Sequence, residues 1–176
     1  MVIIKNKIWN PDRAVNKLRK EQIIRNNLKN TNDIIYGARA MNKQLSPFLR
    51  RPTEDFDIYS KTPKKRAKKM ERVLNKSIKS DDYYVKPAIH KGTWKVMDKG
   101  ADKKKGTKDD YGVIDYTKPE RKIKTIIYHG INYARLSERK KDANRSLKDK
   151  MFFFRHEKDR KDLHRIKIQR KIRRWL

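Results

Sequence analysis

Residues 55–60 read Asp-Phe-Asp-Ile-Tyr-Ser, an alternation of period two. Successive side chains of an extended strand point to opposite faces, so Asp55 and Asp57 project together while Phe56 and Ile58 turn towards a core. The segment therefore demands a sheet with one apolar side and one side that holds paired carboxylates. Directly behind it, Thr62 and Pro63 begin a helix, with a capping residue and proline at the first helical position. Ala67, Met70, Leu74 and Ile78 share one face of that helix, which runs to about Ser77.

The rest of the chain supplies partners for this unit. A first helix is expected over 12–29, capped by Asp12, with Ala14, Leu18, Ile24 and Leu28 as a broken apolar stripe. Asn30, Thr31 and Asn32 form a turn, and the short apolar run Ile34-Ile35-Tyr36 ends at Gly37. A second helix follows to about Leu45, and Pro47 and Pro52 bracket a loop. Further strands are expected at Tyr84–His90, Trp94–Asp98, Val113–Tyr116 and Ile123–Tyr128, with 99–112 as an exposed hairpin loop. The last 46 residues read as helical: Tyr133, Leu136, Ala143 and Leu147 share a face, a helix begins near Met151, and Ile168, Ile172 and Trp175 continue the period. The class is α+β, a mixed sheet flanked by helices with a helical C-terminal region. It divides into a basic N-terminal helix (1–32), a core (33–130) and basic C-terminal helices (131–176), all within one compact domain.

Charge narrows the partners. Fifty Lys and Arg face 21 Asp and Glu, a formal net charge of +29. Such a field attracts polyanions, foremost RNA or single-stranded DNA, with anionic surfaces as the second possibility. Lys64, Lys65 and Arg66 on the helix behind Thr62, and Arg170 and Arg173 near the C-terminus, are the candidate nucleic-acid contacts. No apolar run approaches the length of a bilayer span, and the stretch MVIIKNKIWN is too short for a secretory signal. The absence of cysteine excludes disulfides, thiolate-bound zinc and thiol catalysis. A cytoplasmic, nuclear or virion-interior setting fits this chemistry, and secretion does not.

Two carboxylates side by side repel and raise one another's pKa unless a cation joins them. A hard divalent ion such as Mg²⁺, or Mn²⁺, suits oxygen ligands and completes its shell with substrate phosphates. Two solvated aspartates at a strand end are the plain alternative. The surroundings favour the ion. A strand leading to Gly37, a helix, an Arg-rich loop and D-x-D on the next strand resembles the DNA polymerase β-like nucleotidyltransferase superfamily. Gly37-Ala38 stands at its Gly-Ser or Gly-Gly turn. Arg50, Thr53, Asp55 and Asp57 resemble its R-x-S-x-D-x-D form, and Asp115 in GVIDYT matches its third carboxylate. The Arg155-His156-Glu157-Lys158-Asp159-Arg160-Lys161-Asp162-Leu163 segment is similar to the R-x-x-K-D-x-x-D-L element of the abortive-infection toxin branch.

The resemblance, over about residues 33–166, implies two-metal nucleotidyl transfer from an NTP to an RNA end or a protein hydroxyl. Asp55, Asp57 and Asp115 would hold the ions. Gly37, Ala38, Arg50, Thr53 and Lys158 would meet the nucleotide, and Asp159 would orient Lys158 or assist proton removal. Ala38 departs from the pattern, although backbone N–H groups at a helix start still bind phosphate. That departure, with the large charge, keeps open a non-catalytic nucleic-acid-binding or virion structural protein on the same fold, and a basic ribosome-associated protein is a third reading. The four histidines show no ligand spacing, and no P-loop or dinucleotide fingerprint is present. Phe152, Phe153 and Phe154 read as core, and Asp109-Asp110 as an exposed loop pair.

Overall fold

The computed structural model describes residues 11–175, and side chains from 16 to 174. The reading of MVIIKNKIWN and the side chains of Asp12, Ala14 and Trp175 lie outside the described residues. In chain order the elements are α1 (Pro11–Leu28), β1 (Ile34–Tyr36), α2 (Gly37–Gln44), β2 (Phe56–Tyr59), α3 (Pro63–Ile78), β3 (Tyr83–Pro87), β4 (Thr93–Asp98), β5 (Tyr111–Thr117), β6 (Thr125–Tyr128), β7 (Ile131–Ala134), α4 (Leu136–Lys148) and α5 (His156–Trp175). Short 3-10 turns cover Pro47–Leu49 and Lys150–Arg155.

The strands form one mixed sheet in the order β3-β4-β5-β2-β1-β7-β6. Two neighbouring pairs are parallel, β2 with β5 and β1 with β7, and the others are antiparallel. The alternation in β2 is realised: Phe56 and Ile58 are buried and Asp57 is half-buried. Phe56, Ile58, Ile114, Tyr116 and Val96 face a core shared with Ala67, Met70 and Leu74 of α3 and with Ile24 and Leu28 of α1. Each such side chain taken from water contributes on the order of 2 kcal/mol, which fixes the register of the central strands. A second cluster, Met41, Leu45, Leu49, Leu136 and Ile166, joins α2, α4 and α5.

Several expectations need correction. Pro63 starts α3, but the Thr62 side chain makes no capping bond. Leu18 is exposed, so among the described residues the expected α1 stripe reduces to Ile24 and Leu28. β3 stops at Pro87, which carries no N–H for the ladder. The region from 131 is not helical throughout, because Ile131–Ala134 is a strand between β1 and β6 and Tyr133 is buried in the main core. His129 and Gly130, both at positive φ (48° and 74°), make the tight turn that sets up the β6–β7 hairpin. Phe153 and Phe154 are not core: they are 74% and 68% exposed on the 3-10 turn before α5. Asp109 and Asp110 do lie in the loop, Asp109 exposed and Asp110 half-buried, and they organise 99–110 through the backbone N–H groups of Ala101, Asp102 and Gly106.

Candidate active site

The register of four strands draws one row of side chains across the sheet face opposite α3: Tyr36 on β1, Asp57 on β2, Asp115 on β5 and Lys95 on β4. Asp57 and Asp115 are direct partners on neighbouring parallel strands, so both carboxylates leave the sheet on the same side. Asp55, exposed, lies just before β2 and accepts a hydrogen bond from Thr53 Oγ1 at 3.1 Å. Lys95 Nζ lies 2.7 and 3.0 Å from the two oxygens of Asp115. The ring of Tyr36 stacks on Tyr59 with centroids 3.8 Å apart, and its hydroxyl lies 3.1 Å from Thr117 Oγ1.

Gly37 explains how Asp57 fits. The residue has φ +64°, and a Cβ there would stand 2.0 Å from Asp57 Oδ2. Any side chain at 37 would displace the carboxylate from the start of α2. Burial, then the charges of Asp55 and Asp115, push the Asp57 carboxyl up to about 6, and Lys158 and Arg155 pull the other way. Asp55 and Asp115 therefore both act on Asp57, and the α5 element reaches it electrostatically. Burial, and next the Asp57 charge, also raise Tyr36 well above the ordinary phenol range, so its hydroxyl keeps its proton.

Asp55 and Asp57 fit a hard divalent cation. They offer oxygen donors alone, the Asp55 charge raises the proton affinity of Asp57, and neither is in an ion pair among the described residues. Among those residues no three acidic or imidazole groups form a ready-made cation shell, and Asp115 is ion-paired with Lys95.

The remaining expected residues divide. Thr53 is at the site, hydrogen-bonded to Asp55, and Lys158 is exposed on α5 within electrostatic reach of Asp57. Ala38 is 4% exposed, so only its backbone could meet a phosphate. Arg50 Nε donates to the carbonyl of Leu45 at 3.1 Å. The R-x-T-x-D-x-D spacing in fact falls on Arg51, whose Nε lies 3.3 Å from Asp162 Oδ1. Asp159 is fully buried: Arg139 donates to Oδ1, and Arg155 Nε lies 3.3 Å from Oδ2. Burial would raise its carboxyl, but the hydrogen bond from Arg139 and the nearby guanidinium charges outweigh that and hold it below the usual range. A carboxylate so enclosed does not take a proton from substrate; with Asp162, bonded by Arg139 at 2.7 Å, it ties α5 to α4.

The nucleic-acid candidates are not gathered at the carboxylates. Lys64 and Lys65 are exposed on α3, behind the opposite sheet face. Arg66 pairs with Asp33 and donates to the Asn27 carbonyl at 3.2 Å, a structural role. Arg170 is exposed on α5, and Arg173, also exposed, donates to the Gln44 carbonyl at 3.1 Å.

Sequence reading missed Arg39 and Lys95. Arg39 lies on the Phe56 ring, 3.7 Å from its centroid, and donates to the carbonyls of Asp55 (2.6 Å) and Glu54 (3.0 Å) and to Glu21 (3.0 Å). It fixes the backbone that carries Asp55. An arginine two residues after the turn glycine, on the buried face of α2, was the available signal.

No family model matches the sequence, and no curated protein matches it. Among solved structures, the chain is similar to the Megavirus polyadenylate synthase with a TM-score of 0.69 and 21% identity, over 87% of this chain and 31% of that one. The fold is nucleotidyltransferase-like. The chain spans about a third of the Megavirus protein. It is also similar to JHP933 from Helicobacter pylori, with a TM-score of 0.50 and 15% identity, over 79% of this chain and 58% of that one. Among the described residues no helix is long and apolar enough to cross a membrane.

Proposed function

We propose that this chain is a metal-dependent nucleotidyltransferase that moves a nucleotide from an NTP to an RNA end or a protein hydroxyl. The observation that carries the reading is the in-register pair Asp57 and Asp115, with Asp55 beside them and the Gly37 turn pressed against Asp57. Asp55 and Asp57 would hold Mg²⁺ or Mn²⁺, which supplies charge neutralisation for the triphosphate. The α2 N-terminus and Lys158 would receive phosphate oxygens. The reaction forms a bond from the acceptor hydroxyl oxygen to the α-phosphorus and breaks the bond to pyrophosphate, which leaves with the electron pair; the hydroxyl proton passes to solvent. RNA is the favoured acceptor, given the net charge of +29 and the name of the polyadenylate synthase that the fold resembles. Within the superfamily, the abortive-infection toxin branch is supported by the 155–163 element, whose two aspartates anchor α5 to α4 through Arg139. A cytoplasmic, nuclear or virion-interior location follows from an RNA acceptor.

Buried Ala38, which places no hydroxyl at the turn, favours a second reading: a non-catalytic nucleic-acid-binding or virion structural protein on the same fold. Labelled NTPs, incubated one at a time with the chain, Mg²⁺ or Mn²⁺ and total RNA, separate the two. The enzyme incorporates label only with a divalent ion, and Asp57→Asn lowers incorporation by roughly 100-fold or more. No incorporation with any NTP, metal or acceptor, alongside RNA binding that weakens roughly 10³-fold from low to moderate salt, would establish the second reading instead.

A further inference from the structure

β4 runs antiparallel to β5 and places Lys95 directly opposite Asp115, next in the row that carries Asp57. Its ammonium donates to both oxygens of that carboxylate, at 2.7 and 3.0 Å. Lys95 belongs to an interior strand, paired with β3 on one side and β5 on the other, so its backbone cannot withdraw as a loop residue could. Lys86 stands opposite it on β3, so the neighbouring position on that side offers a second cation and no acidic partner. Asp55 and Asp57 differ. Among the described residues neither is in an ion pair, and Lys158 and Arg155 act on Asp57 only through space.

We propose that the Lys95 ammonium is the resident cation of Asp115, so that the site takes one divalent ion, on Asp55 and Asp57, where the superfamily pattern implies two. This rests on the nucleotidyl-transfer reading and specifies its metal count. A divalent ion at Asp115 would have to displace an ammonium bonded to both oxygens and would then share the sheet face with it, since Lys95 has no acidic partner other than Asp115 among the described residues. An ammonium donates three hydrogen bonds and accepts none, so it can balance the charge of Asp115 but cannot release a bound water or hydroxide as a metal ion does. The acceptor side of such a site carries a fixed charge of the protein's own, independent of the free metal concentration.

The test counts ions. Mn²⁺ is titrated into the full chain with one equivalent of a non-hydrolysable ATP analogue, and bound Mn²⁺ is read from loss of the free-ion EPR signal. One tightly bound Mn²⁺ per chain is expected for the unaltered protein, and two for Lys95→Met, which keeps the length of the stem without its charge. Lys95→Gln serves as a second neutral variant, and a thermal melt confirms that each is folded. Two tight ions in the unaltered chain, or one in both folded Lys95 variants, would overturn the proposal and leave nucleotidyl transfer standing. No Asp57-dependent Mn²⁺ in any form, judged against Asp57→Asn, would overturn the transfer reading and this proposal with it.

Discussion

The two faces of the central sheet are built from the same four strands and obey opposite rules. On one face Ile35, Ile58, Ile114 and Val96 are each 0% exposed and pack beneath α1 and α3. On the other, one residue out of step, Tyr36, Asp57, Asp115 and Lys95 form a polar row. The apolar face is stabilised by what it removes from water. The polar face holds Asp57 at a proton affinity above its ordinary value, which is a free-energy penalty in the folded state near neutral pH. Stability and the candidate chemistry are thus separated by a shift of one residue along each strand.

Substitutions one position apart should therefore have opposite effects. The largest is expected from Ile58→Ala, which leaves a void in a side chain's place at the centre of the core and should lower stability by about 4 kcal/mol. A urea titration that shows less than about 1 kcal/mol would break the assignment of faces. Gly37→Ala comes next, at about 2–3 kcal/mol, because alanine at φ +64° is strained and its Cβ would collide with Asp57 Oδ2. The collision is separable. In a double-mutant cycle with Asp57→Ala, a coupling of more than about 1 kcal/mol is expected, and additive losses would show that the two residues do not touch.

The smallest effect has the opposite sign. The ordinary Asp57 carboxyl value is 3.8 and the folded chain raises it to about 6. The folded state thus keeps a proton that the unfolded state gives up, so the penalty is absent below about pH 4 and complete above about pH 6. A carboxamide in its place does not ionise. In the absence of divalent ions, Asp57→Asn should stabilise the protein by about 2 kcal/mol at pH 8, after allowance for solvent, and by nothing at pH 4. Melting temperatures that shift equally at both pH values would remove the electrostatic explanation.

Much of this was legible in the sequence. The period-two run at 55–60 named the strand, its carboxylates and its core residues, and the Thr-Pro start located α3, because local alternation and proline geometry act within a few residues. What stayed hidden depends on distant contacts. β7 is four residues long, and Tyr133 with Leu136 has the spacing of a helix face. Only the His129-Gly130 turn, with histidine in place of the usual Asn or Asp, marked a hairpin. The enclosure of Asp159 stayed hidden because a charged helix face does not reveal which acids an arginine from another helix will enclose. Lys95 was invisible as a site residue, since its meaning comes from the β4–β5 register and not from its neighbours in sequence.

Arg39 has a consequence for the order in which the molecule assembles. Its guanidinium needs Glu21 from α1, 18 residues earlier, and the carbonyls of Glu54 and Asp55, 15 and 16 residues later. Contacts that close such loops form after local helices and turns, because the entropy of closure opposes them until several are made together. The acidic end of β2 therefore gains its final place only when α1 has docked. A nascent or partly melted chain, its helices already wound, carries all three carboxylates and yet has no finished candidate site.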